Sequence, residues 1–166
     1  METPRRRPFL TVLEWIARLT IAAVFLYAAI PKLLDPVAFA RAIDNYRVVF
    51  PIVGKGYVYL TAGFMPALEL ITALGLLWNR TKRGAALMAT LLLILFAILI
   101  TQAVLRGLNI DCGCFGSGAT SKLMARTVGL KAILEDVLWL VMALFIYFRK
   151  SDADLRKAAS RNRYTM

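Results

Sequence analysis

Leu91-Leu92-Leu93-Ile94-Leu95-Phe96-Ala97-Ile98-Leu99-Ile100 is the run that decides the fold. No polar residue interrupts it, so a helix built on it has no polar face to turn toward water. It sits within residues 84–105, which Arg83 and Arg106 bound. That length crosses a hydrocarbon core of about 30 Å. Working outward, residues 10–30, 57–78 and about 128–148 have the same character. Across all 166 residues the apolar fraction is 60% and the mean hydropathy is +0.65, against about 45–50% apolar in ordinary soluble domains. The expected fold is all-α: an integral membrane four-helix bundle, with one domain over residues 1–150 and a basic cytoplasmic tail over 151–166.

The segments between the spans are informative too. Asp35-Pro36 reads as a helix start, with Asp as N-cap and Pro at the first helical position. Phe39, Ala42, Ile43 and Tyr46 then share one face, while Arg41, Asp44, Asn45 and Arg47 fall elsewhere. This predicts a short extracytoplasmic helix lying in the interface between spans 1 and 2. Pro66 predicts a kink in the second span, because it removes one ladder donor. Residues 79–83 form a tight basic turn. Arg5 to Arg7 before an apolar run also resemble a signal peptide, but no small-x-small cleavage site follows cleanly.

Charge then assigns a side. The chain has 21 Lys and Arg against 10 Asp and Glu, and no His. The basic residues border the apolar runs, which suits lipid headgroups rather than nucleic acid. Four spans put both termini on one side. That side holds Arg5, Arg6 and Arg7, the turn cations Arg80, Lys82 and Arg83, and six more between residues 149 and 163. The other side has fewer, over longer segments. The positive-inside rule therefore predicts cytoplasmic termini in an inner (plasma) membrane protein. The absence of His excludes imidazole-based haem, zinc and nucleophile chemistry from this chain alone.

On this topology the segment Asn109-Ile110-Asp111-Cys112-Gly113-Cys114-Phe115-Gly116 faces outward, where disulfides persist. It carries both cysteines. Gly113 supplies backbone freedom for the two sulfurs to meet. A ring closed across a single residue conflicts with relaxed disulfide geometry and closes almost no loop, so it suits exchange better than stapling. A structural disulfide, unpaired thiols and a lipid-modified pair are the competing readings. Thiolate is favoured by the N-terminus of a helix starting near Ser121 and by Lys122, Arg106 or Lys32; Asp111 opposes it.

Ionisable groups within the spans need partners and are functional candidates. Arg18 and Glu69 lie at similar depth, about nine residues from the cytoplasmic ends of their spans, which predicts an Arg18–Glu69 pair. Glu14, four residues before Arg18, can share it. Glu135 and Asp136 occupy the outer third of the last span. They are candidates for taking protons released at the cysteines, or for pairing with Lys131 or Lys32. Trp15, Trp78, Tyr57, Tyr59, Tyr147 and Phe148 lie near span boundaries and read as interface anchors.

These features in this order resemble the MauE/DoxX-like group of four-helix membrane proteins. The resemblance rests on Arg18, Pro31-Lys32-Leu33 with Asp35-Pro36, Pro66-Ala67-Leu68-Glu69-Leu70, and above all Asp111-Cys112-Gly113-Cys114-Phe115-Gly116. It covers about residues 10–148 and is closer to the MauE branch than to DoxX or DoxD proteins lacking such a pair. The resemblance implies a membrane-bound, redox-associated protein, linked with a periplasmic thioredoxin-like partner and with disulfide formation in a methylamine dehydrogenase subunit. A quinone is the candidate cofactor. Two rival readings stand beside thiol–disulfide exchange: a non-catalytic assembly subunit, and a DoxD-like subunit of a sulfur-compound:quinone oxidoreductase.

Overall fold

The first apolar stretch runs further than its sequence suggests. In the computed structural model, which describes residues 8–46, 56–107 and 130–149, helix α1 spans Pro8–Leu34 and passes through Pro31. Pro31 forfeits one intrahelical bond, to the carbonyl of Tyr27, and the helix continues for three more residues. It stops before Asp35-Pro36, where the second proline disfavours helical geometry for the residue preceding it. Asp35 then caps α2 (Pro36–Asn45), accepting a hydrogen bond from the Ala38 N–H at 2.8 Å. The remaining helices are α3 (Gly56–Leu77), α4 (Lys82–Leu105) and α5 (Leu130–Phe148). Among the described residues there is no strand.

The four long helices close into a ring, α1 against α3, α3 against α4, α4 against α5, and α5 back against α1. Helix α2 lies on α3 and α1 at one end. Its Phe39, Ala40, Ala42 and Tyr46 are buried and Arg41, Asp44 and Asn45 exposed, as the amphipathic pattern requires. The start of α1, the α3–α4 turn and the end of α5 share the opposite end, where Arg149 donates to the Leu10 carbonyl.

The distribution of side-chain sizes identifies the solvent. Buried positions are rich in alanine, among them Ala17, Ala22, Ala73, Ala86, Ala89 and Ala143, whereas Phe64, Ile71, Leu91, Ile98 and Val141 point outward. Small residues let helix backbones approach closely, and large apolar ones gain nothing by leaving a hydrocarbon solvent. Three helices, α1, α3 and α4, are long and apolar enough to cross a membrane, and only 33–39% of each apolar window is buried within the protein. Helix α5 completes the ring with 19 residues and carries Lys131, Glu135 and Asp136. The protein is an all-α membrane protein.

The α3–α4 turn is closed by Thr81, whose hydroxyl donates to the Gly75 carbonyl at 2.8 Å. A Cβ added at Gly75 would lie 2.9 Å from the Ala85 Cβ, while one added at Gly63 meets nothing within 4 Å. Both crowded atoms are fixed to backbone, so the helices must move apart. Gly75→Ala is expected to destabilise the protein by roughly 1–3 kcal/mol, and Gly63→Ala to leave it no less stable. Unfolding in detergent micelles checks the pair.

Candidate functional site

Because α1 continues past Pro31, Lys32 is a bundle residue rather than a loop cation. Its Nζ donates to Glu69 Oε1 at 2.5 Å, and both side chains are 0% exposed. The ammonium also lies 4.9 Å from the ring centroid of Phe39 and 5.2 Å from that of Phe96. One cation thus gathers α1, α2, α3 and α4. Both aromatic faces are within cation–π range, so the cation has attractive neighbours besides the carboxylate. The second carboxylate oxygen, Glu69 Oε2, is buried without a hydrogen-bond partner among the described residues, and so is the Thr72 hydroxyl one turn further along α3.

The predicted Arg18–Glu69 pair does not form. Arg18 instead closes the C-terminal end of α3. Its Nε donates to the Leu76 carbonyl at 2.6 Å, its Nη2 to the Leu77 carbonyl at 2.9 Å, and its Nη1 to Asn79 Oδ1 at 2.5 Å. Carbonyls at a helix end lack intrahelical donors and carry partial negative charge, so a guanidinium satisfies both needs. The Trp15 ring stacks 4.2 Å from the guanidinium carbon. Matching depths of Cα atoms misled because helical side chains tilt toward their own N-terminus. Arg18 on α1 tilts toward the turn end, and Glu69 on antiparallel α3 tilts toward α2. The two point apart, and Lys32, tilting down from the α2 end, meets Glu69.

A second ionic cluster lies at the turn end. Glu14 accepts from the Lys82 ammonium through Oε1 and from Arg149 Nε through Oε2 at 2.7 Å, with Arg18 Nη1 at 3.9 Å. The sharing of Glu14 with Arg18 was expected; the other two partners were not. Lys82 was assigned to the turn, yet it begins α4 and is only 4% exposed. Arg149 also reaches the Thr11 hydroxyl at 3.1 Å. Glu14 therefore ties the starts of α1 and α4 to the end of α5.

On α5, Asp136 is buried and Glu135 half-buried. Neither pairs with Lys32, which Glu69 occupies; the Lys131 side chain lies outside the described residues. Between α4 and α5 a groove of about 570 Å³ is lined by Ile94, Ala97, Ile98, Gln102 and Leu140, with Arg106 at its rim. Arg106 donates to the Tyr46 carbonyl at 3.3 Å, and burial pushes the Tyr46 hydroxyl up to about 12. Of the six expected interface anchors, Trp15, Trp78, Tyr59 and Phe148 are exposed near helix ends, whereas Tyr57 and Tyr147 are half-buried against the core. Asp111, Cys112, Gly113, Cys114, Phe115 and Gly116 lie outside the described residues.

Sequence reasoning missed Thr72, Phe39 and Phe96 as companions of the buried pair, and Lys82 and Arg149 as partners of Glu14. Phe39 and Phe96 are indistinguishable from other core aromatics by pattern. A lysine at the first residue of a helix reads as solvated unless its carboxylate is known.

Fold and site together define a helical membrane protein whose interior is held by ion pairs. More specifically, the chain belongs to the MauE family, since the model for "Methylamine utilisation protein MauE" matches residues 10–149. The methylamine utilization protein MauE of Paracoccus denitrificans is 31% identical over 133 residues, covering 80% of this chain and 67% of that protein. Its namesake from Methylorubrum extorquens is 33% identical, covering 69% and 62%, and that of Paracoccus versutus 33%, covering 74% and 64%. The chain thus spans about two thirds of the length of these curated relatives. No solved structure matches it.

Glu14→Ala strips the counter-charge from Lys82 and Arg149 at once. It is expected to destabilise the protein by about 1.5–3 kcal/mol, the range for hydrogen bonds to charged groups. Arg41→Ala on the exposed face of α2 should change stability by less than about 0.5 kcal/mol. Thermal unfolding in micelles compares them.

Proposed function

We propose that this chain is a membrane component of methylamine utilisation that exchanges electrons through Cys112 and Cys114 with a periplasmic thioredoxin-like protein or a disulfide-containing client. The observation that carries the reading is the family match, which runs through residues 10–149 and so includes the cysteine segment. Helices α4 and α5, which flank that segment in sequence, have their adjoining ends at the α2 end of the bundle.

The exchange needs no metal. One thiolate attacks a sulfur of the partner's disulfide and expels the other as thiolate. The second thiolate then attacks the mixed disulfide, leaving Cys112–Cys114 oxidised and the partner a dithiol, with two electrons transferred. The reverse direction uses the same atoms. Gly113 separates the pair in sequence, and Asp111, Phe115 and Gly116 flank it. Asp111 beside Cys112, and Glu135 and Asp136 toward the same end of α5, are the acidic groups available to accept thiol protons.

In this reading the termini are cytoplasmic, the cysteines extracytoplasmic, and the membrane is the inner (plasma) membrane. Exposed Arg80 and Arg83 at the turn end support that orientation. Ion pairing withdraws Lys82 and Arg149 on one side and Lys32 on the other, which still leaves the basic excess at the turn end. A quinone remains the candidate acceptor of the two electrons and two protons, and the apolar α4–α5 groove with Gln102 suits an isoprenoid chain and a carbonyl headgroup.

A membrane-impermeant maleimide applied to reduced, intact spheroplasts is expected to label both cysteines. Labelling only after permeabilisation contradicts the orientation and the function together. The double substitution Cys112→Ser, Cys114→Ser should abolish methylamine-dependent function while the protein still accumulates in the membrane. Retained function would favour the assembly-subunit reading.

A further inference from the structure

We propose that Lys32, Glu69 and Thr72 form an internal proton-binding site, in which one buried water bridges Glu69 Oε2 and the Thr72 hydroxyl and Glu69 alternates between carboxylate and carboxylic acid. This is independent of the cysteine chemistry. The site is fully enclosed: Lys32 and Thr72 are 1% exposed and Glu69 0%. Its two unpartnered polar atoms belong to residues three apart on α3. Cβ atoms at that spacing are about 5–6 Å apart, which puts the two side chains on one face, within reach of a common water. Buried waters are typically held by polar groups that the protein leaves unsatisfied.

The asymmetry of the ion pair points the same way. Glu69 Oε1 takes the Lys32 hydrogen bond, and Oε2 takes none. A carboxylate in an apolar bundle whose second oxygen meets a single water is poorly solvated, whereas a proton on Oε2 removes the charge and makes that oxygen a donor to the water. With the proton on Oε2, the ammonium keeps its hydrogen bond to Oε1 and the flanking faces of Phe39 and Phe96. The site therefore tolerates a change from zero to one positive charge without losing either residue's contacts. On the packed elements, α2 contributes Phe39 and turns Arg41 and Asp44 outward. Helix α4 has no titratable residue between Arg83 and Arg106. Helix α5 carries Glu135 and Asp136, and on α1 Glu14 and Arg18 are engaged at the other end.

Difference infrared spectroscopy of the full chain in lipid nanodiscs, titrated with pH, reads the carbonyl stretch of a protonated buried carboxyl. The expected result is a pH-dependent band that Glu69→Gln removes and Thr72→Val shifts in frequency. Lys32→Met removes the neighbouring positive charge, so the midpoint of the band moves to higher pH by at least about one unit. A band that survives Glu69→Gln, or a midpoint that Lys32→Met leaves in place, overturns the site. A frequency unmoved by Thr72→Val overturns the bridging water. Should Glu69→Gln fail to fold, the Lys32→Met midpoint decides. Repeating the titration in the Cys112→Ser, Cys114→Ser protein should give the same band, which separates this proposal from the thiol reading.

Discussion

A lysine and a glutamate with no exposed surface, 2.5 Å apart inside a bundle of apolar helices, constrain everything around them. Neither side chain can be lost singly, because that strands its partner's polar group in an apolar interior. The pair therefore sets the register of α1 against α3. It requires α1 to continue through Pro31, and it requires α2 to fold back so that Phe39 covers the ammonium. Hydrophobic burial gives no such instruction, since a leucine in a membrane is equally content against lipid or protein.

The two ends of the bundle are tied differently. At the turn end, Glu14 and Arg18 knit α1 to α3, α4 and α5 through the buried Lys82, the partly exposed Arg149, the exposed Asn79 and backbone carbonyls. That arrangement suits headgroup depth, where water can share the load. At the α2 end the only fully buried ion pair described is Lys32–Glu69, and it lies below an amphipathic helix. The bundle is thus fastened by several ion pairs at one end and carries a covered, half-satisfied ionic site toward the other, the end at which α4 stops and α5 starts.

Much of this was legible beforehand. Long apolar runs, Asp35-Pro36 and the basic turn fix helix number and order because each acts locally, through hydropathy, capping and charge. Family membership was legible from short strings around Arg18, Pro31, Pro66 and the cysteines. The pairing of charges was not. Arg18 and Glu69 match in depth by residue count, but pairing depends on where side chains tilt, and that follows only from the direction of each helix and where it ends. Extending α1 by four residues past Ile30 was enough to move Lys32 from a loop to the core and to give Glu69 a different partner. Lys82 was misplaced for the same reason, by a helix that begins two residues before the expected span.

Lys32 and Glu69 must depend on each other if their contact sets the register of the bundle. A double-mutant cycle with Lys32→Met, Glu69→Leu and both together, followed by unfolding in micelles, measures that directly. The predicted result is a coupling of at least about 1 kcal/mol, with the double variant more stable than the sum of the single losses implies. Losses that add to within about 0.5 kcal/mol would mean that the two charges do not meet.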